Sequence, residues 1–272
     1  LPQAFGSKTL MASLQNYQLI KDFLEEQYTL HHKNFFIETD PICVPHAYSK
    51  LQDIEISGFF AAILAWGQRK TIIKNAQKLM QMMDNSPHEF ILNHTENDLK
   101  PFLQFKHRTF NAEDTLYCIY FLRWWYSQHQ SLETAFSQFI TKNDKNIENA
   151  LIGFRNLFFS LPEAPKRTCK HIPTPARKSA CKRLCMYLRW LVRTDSEQID
   201  FGLWKQISPS QLVCPCDVHT ERTARFLGLV SEKKTNWKMA VELTENLKKF
   251  DTQDPVKYDF ALFGASQAKM IT

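Results

Sequence analysis

The stretch CPCDVHTERTARFLGL, residues 214–229, places one acid, Asp217, behind Pro215 and ahead of a short helical run. Upstream, residues 166–193 carry nine lysines and arginines and no acid, although the whole chain is only +6. A lone carboxylate beside so much positive charge suits electrostatic or proton-transfer work on an anionic partner. It also suits a purely local task. Aspartate at a helix start accepts the orphan amides of the first turn, and Gly228 is placed to close the same helix. Both readings are open from the residues alone.

The cations have a pattern of their own. Read as a helix of about 100° per residue, ARKSACKRLCMYLRWLVR puts Lys182, Arg189 and Arg193 at about 40°, 20° and 60° from Lys178. Four cations thus share one stripe, opposite Cys181, Leu184, Cys185, Leu188, Leu191 and Val192. A charge run usually forms a solvated face. Here the usual glutamates at i,i+4 are missing, so a polyanion is the expected partner, with phosphates as its charged groups.

The elements that must position these residues read as helices throughout. Glycine is scarce, seven in 272 residues, and no stretch alternates apolar and polar residues for long, so the chain is expected to be all-α. An amphipathic helix is read in 11–32, followed by a loop broken by Pro41 and Pro45. One long helix is expected over 50–84, bent near Gly67, with Asp53 and Glu55 favouring its first turns and Phe59 to Trp66 in the core. Further helices are expected in 112–129, 131–140, 147–159, 176–194, 218–227, 236–249 and 255–264. Four prolines make 160–180 a loop. RWWY, residues 123–126, reads as core packing.

At 44% hydrophobic residues the chain can bury a sizeable core. It is read as a single helical unit over 12–272, with 53–165 as one subdomain and 12–52 plus 166–272 as the other. Residues 1–11 are read as an unfolded or upstream start, with Met11 a plausible native beginning. No run is long enough to span a bilayer, and no signal peptide is legible, so a membrane partner is not expected. Seven scattered cysteines with no disulfide framework point to a reducing cytoplasm. Cys181, Cys185, Cys214 and Cys216 with His219 could surround zinc, but they lack tight CxxC spacing. Buried thiols are expected, with no metal site and no cofactor.

DVHTERTARFLGL resembles the Asp-x-His-x-x-Arg-x-x-x-Arg-Leu-Gly-Leu type of segment in helix-hairpin-helix DNA glycosylases, the superfamily of endonuclease III and the 8-oxoguanine glycosylases. ACKRLCMYLRW resembles the lysine helix of the archaeal 8-oxoguanine glycosylases, and YDFALFG the superfamily's closing helix. Closer still, GFFAAILAWGQRKTIIKNA, RLCMYLRWLVR, PSQLVCPCDVHT and DPVKYDFALFG resemble an uncharacterised bacterial family of unknown function, over most of 12–264. The glycosylase resemblance rests mainly on 176–264. It implies two intimately packed helical subdomains, with Asp217 as the catalytic acid and Lys182 as a Schiff-base nucleophile. There are departures. The superfamily hairpin usually carries Leu-Pro-Gly-x-Gly, whose amides hold a DNA phosphate, whereas this chain has IPTPARKSA, without glycine. Arg177 and Lys178 could supply charge in place of those amides. Thirty-five residues separate Lys182 from Asp217, and the four-cysteine iron–sulfur motif of endonuclease III is absent.

Such an enzyme would bind duplex DNA with a flipped, damaged base. The carboxylate would stabilise positive charge on the sugar while the lysine amine attacks the anomeric carbon, and the imine would allow strand scission. The amine must be uncharged to attack, and Lys178, Arg183 and partial burial are expected to favour that form. Trp66 or Phe110 would stack on the base, and Gln68, His107 or Asn111 would touch its edge. His219 would orient the acid. Arg177, Lys178, Arg183, Arg189, Arg193 and Arg222 would hold phosphates. The alternatives are a non-catalytic nucleic-acid-binding protein that retains the fold, and an interaction protein stabilised by zinc.

Overall fold

The computed structural model describes residues 17–268. Its helices are α1 (Tyr17–His31), α2 (Phe35–Thr39), α3 (Leu51–Ile63), α4 (Arg69–Gln81), α5 (Pro87–Asn93), α6 (Glu96–Leu99), α7 (Ala112–Tyr126), α8 (Glu133–Ser137), α9 (Glu148–Phe158), α10 (Lys182–Val192), α11 (Val218–Phe226), α12 (Trp237–Leu247) and α13 (Asp259–Gln267). Short 3-10 turns fill several connections, including Lys166–Lys170 and Pro175–Arg177. No strand occurs among the described residues, and the chain is all-α. The expected start at residues 1–11 lies outside the described residues.

Two helices form the centre. In α3 every residue from Ile54 to Ile63 is buried, and in α10 every residue from Leu184 to Val192 is buried. Both bury every face over these stretches, their few polar side chains included, and the two pack on each other. Around them α7, α8 and α9 contribute an aromatic layer in which Phe136 of α8 stacks on Phe154 of α9 with centroids 3.9 Å apart. At one end α1 lies along α13, and α11 packs on the same helix. Gly264 brings α13 so close to α1 that a Cβ there would strike the ring of His31.

Several expected boundaries moved. The long helix of 50–84 is two helices, because the chain breaks at 64–68, where Gly67 takes φ +113°. Glu55 is not a first-turn surface acid. It is fully buried, accepting hydrogen bonds from Tyr126 Oη (2.8 Å), Trp204 Nε1 (2.7 Å), the Leu132 amide (3.1 Å) and Ser131 Oγ. Burial pushes its carboxyl above the ordinary range against the pull of those donors. Asp53 accepts the His88 amide at 2.8 Å, which ties α5 to α3. The basic helix begins at Lys182, because Lys178 (φ 60°) and Cys181 (φ 52°) are left-handed and interrupt it.

Candidate active-site cavity

Lys182 is the first residue of α10, and Asp217 caps α11. Asp217 divides its carboxylate. Oδ1 accepts the amides of His219 (2.9 Å) and Thr220 (3.0 Å), the ordinary work of an N-cap, while Oδ2 accepts Lys182 Nζ at 2.7 Å. The two side chains are 36% and 17% exposed, so the pair is shielded without being sealed from water. Burial alone would push the Asp217 carboxyl up. The adjacent ammonium and the two amides outweigh it and hold the carboxyl below its ordinary range.

The pair stands on the wall of a cavity of about 380 Å³. Phe36 and Asp40 enter from α2 and the turn after it, Trp66 from the break between α3 and α4, Arg69 from the start of α4, and Met186 and Arg189 from α10. Asp259, Phe263 and Gln267 line it from α13. Three carboxylates, Asp40, Asp217 and Asp259, face three cations, Arg69, Lys182 and Arg189, so the charge on the walls balances. Burial raises the Asp259 carboxyl to about 6, against the pull of Arg189 and with the push of Asp217. Burial also raises Asp40. Arg69 lies over the ring of Phe263 at 5.3 Å, and Arg108 over that of Trp66 at 4.6 Å.

Of the six residues expected to form a base pocket, Trp66 and His219 line the cavity and four do not. His107 is buried between Asn75 Nδ2 (2.8 Å) and the Trp66 carbonyl (3.3 Å). Phe110 is fully buried, its ring edge-on to His171 at 5.0 Å. Asn111 caps α7 and accepts from Arg167. Gln68 is exposed at the start of α4, outside the cavity. The His219 ring is held by Ser266 Oγ (3.2 Å) and Gln267 Nε2 (3.3 Å); only its backbone amide touches Asp217.

The cationic stripe is corrected more sharply. Arg189 and Arg193 are 4% and 2% exposed, too deep for a DNA phosphate. Arg189 pairs with Asp200 (3.3 Å) and Asp259. Arg193 binds Asp254 (2.8 Å), Asp200 (3.0 Å), Asp195 (3.2 Å) and the Tyr28 hydroxyl (2.8 Å). Their counter-charges come from later loops and helices, not from i,i+4 on α10. Arg183 donates to the Ile63 carbonyl at the end of α3 and reaches Lys170 O at 3.4 Å, and burial lowers its guanidinium to about 10. Lys178 lies ahead of α10, so it cannot act on Lys182 from a shared helix face. Arg177, Lys178 and Arg222 are exposed.

Asp40, Arg69, Asp259 and Phe263 were not singled out from sequence. Asp259 alone left a signal, as the one acid inside the apolar YDFALFG. The seven cysteines are free thiols, and Cys118, Cys181, Cys185, Cys214 and Cys216 are buried. Among the described residues no group of three or more His, Cys, Asp or Glu side chains is placed to hold a metal. No helix among them is long and apolar enough to cross a membrane.

A family model described as a protein of unknown function, DUF2400, matches residues 40–268. No curated protein and no solved structure matches the chain. The match spans α3 to α13 and both residues of the Lys182–Asp217 pair, and the chain belongs to the DUF2400 family.

Proposed function

We propose that the cavity receives a base extruded from duplex DNA, and that the protein is a helix-hairpin-helix-type DNA glycosylase with Schiff-base lyase activity. The observation that carries this reading is the contact of Lys182 Nζ with Asp217 Oδ2 at 2.7 Å on the wall of a ligand-sized cavity. A charge-balanced chamber with Trp66, Phe36 and Phe263 in its walls suits an uncharged planar group better than a phosphate. The backbone of the IPTPARKSA segment and the residue after it also favours the reading. Lys178 and Cys181 adopt the left-handed backbone that glycine would supply, at about 1–2 kcal/mol each.

In the proposed reaction the Lys182 ammonium gives a proton to Asp217, and the free amine attacks C1′. The bond from C1′ to the base nitrogen breaks, the base leaves with the electron pair, and the proton follows it. Asp217, ionised again, stabilises positive charge on the sugar. The adduct opens to an imine, loss of a C2′ proton expels the 3′ phosphate, and water then releases Lys182 from the unsaturated aldehyde. The test is borohydride trapping on duplexes carrying an oxidised purine, an oxidised pyrimidine, uracil or an abasic site. A covalent adduct is expected with at least one, and none with Lys182→Ala. Full trapping in Lys182→Ala would sink the assignment. DNA binding with no adduct on any duplex would leave a nucleic-acid binder that kept the fold.

A further inference from the structure

A second concavity, of about 470 Å³, shares no lining residue with the cavity and has the size of a small-molecule site. Its wall holds one sulfur nucleophile, Cys169, on the 3-10 turn Lys166–Lys170. Of the seven free thiols five are buried, and only Cys43 and Cys169 are partly exposed. Cys43 stands in a recess with no charged lining residue, where burial pushes its thiol up to about 11. Cys169 stands among cations. Arg155, Lys166, Arg167, Lys170 and Arg177 line its basin, and no acid does. Burial lowers the Arg155 guanidinium, and the Cys169 sulfur lies close enough that a negative charge on it would raise that guanidinium again. Arg155 also donates to the carbonyls of Cys169 (2.7 Å) and Ile172, and Arg167 pairs with Asp114. Lys166, Lys170 and Arg177 are exposed, and no acid pairs with them among the described residues. Thr174, 4% exposed, completes the wall, and its hydroxyl has no hydrogen-bond partner.

A buried hydroxyl without a partner is costly unless a ligand completes it, and cations without counter-charge draw anionic groups. A small disulfide whose halves carry carboxylates answers each feature of the basin. Its carboxylates meet the free cations, one of them accepts from the Thr174 hydroxyl, and its S–S bond meets the thiol. We propose that Cys169 is a modification site, and that its basin selects anionic low-molecular-weight disulfides of the oxidised glutathione class. The thiol gives its proton to water, and the Cys169 sulfur attacks one sulfur of the bound disulfide. A new S–S bond forms as the old one breaks, and the departing half leaves with the electron pair and takes up a proton. Cys169 is oxidised and the departing half is reduced, so no further oxidant enters. This site uses no part of the cavity reading.

The test follows the full chain by intact-mass spectrometry during incubation with oxidised glutathione, and in parallel with cystamine, which joins two cationic halves by the same S–S bond. Peptide mapping locates the adduct. One glutathione per chain is expected, on Cys169, and none on that position in Cys169→Ser. At low salt oxidised glutathione should react about tenfold or more faster than cystamine, and added salt should shrink that ratio. Lys166→Gln/Lys170→Gln should lose most of the preference. The control, Lys233→Gln/Lys234→Gln, removes the same charge from exposed positions elsewhere and should keep it. Thr174→Val should slow the reaction of glutathione several-fold and leave that of cystamine unchanged. An adduct confined to Cys43, or no adduct at all, overturns the site. Equal rates for the two disulfides, or a basin variant that matches the control, also overturn it, because they leave an accessible thiol without a selective basin. The mapping needs only the wild-type chain, so a Cys169→Ser variant that fails to fold does not remove the test.

Discussion

Lys182 and Asp217, 35 residues apart, join through one oxygen of a carboxylate whose other oxygen closes the first turn of α11. The capping and electrostatic readings of Asp217 are therefore not rivals. The helix start fixes the carboxylate in place, and the fixed carboxylate presents its free oxygen to the lysine.

Asparagine caps a helix about as well as aspartate but carries no charge. Asp217→Asn should fold with stability within about 1 kcal/mol of the parent, yet lose about 10²–10³ in the rate of adduct formation. Asp217→Ala should lose the rate and about 1 kcal/mol of stability as well. Urea unfolding paired with single-turnover trapping separates the two effects. Equal rates for Asp217→Asn and parent would leave only the cap.

The Asp259 carboxyl, raised to about 6 from an ordinary 3.8, makes the folded state hold a proton that the unfolded state releases. Its contribution is fully present below about pH 4 and is lost as pH rises towards 6, by about 3 kcal/mol in total. Asp114 has the opposite sign. Burial pushes it up, but His171, Thr168 and the Asn111 amide bring it down to about 2, so its contribution is lost as pH falls below 4. Unfolding free energies measured from pH 3 to 7 should fall less between pH 4 and 6 in Asp259→Asn than in the parent. Identical slopes would refute the assignment.

Arg193 and Arg177 were expected to share one task and should now behave differently. Arg193→Gln takes from Asp200, Asp195 and Asp254 the guanidinium they share, leaving Asp254 with no cation, and should destabilise the fold by about 3–5 kcal/mol. Its folded fraction should keep the parent's salt slope for DNA. Arg177→Gln should leave stability unchanged and lower that slope by about 1. Unfolding curves and anisotropy titrations on the same preparations check both.

Glu55 gathers donors from α7, from the residues before α8 and from Trp204, so its loss leaves several buried polar groups unpaired. Glu55→Ala should cost about 3–5 kcal/mol, and Glu55→Gln less, because one acceptor oxygen survives. Denaturant midpoints at neutral pH give the order.

The helices were legible where an apolar run was unbroken, as at α7, whose aromatic-rich run lies within the expected 112–129; its cap, Asn111, was read instead as a base contact. The hidden features depend on partners distant in sequence. Nothing within α10 announces that Asp200, Asp254 and Asp259 will neutralise Arg189 and Arg193, so a buried ion-pair network looked like a phosphate-binding face. The break at 64–68 was legible only as a bend, because Gly67 alone does not say how far the chain turns. Lys182 and Asp217 were legible through resemblance. The residues around them were not, because a cavity wall is assembled from five separate elements.

The cavity floor depends on a segment the family match does not include. Asp259, Phe263 and Gln267 stand on α13, and α13 is backed by α1, through Gly264 against His31 and through Tyr258 Oη donating to Glu25 at 2.6 Å. The match begins at residue 40, after α1 has ended. A chain trimmed to those limits would keep the pair and every chamber residue except Phe36, yet strip the brace from behind one wall. Domain limits drawn from the family alone would therefore give a loosened site.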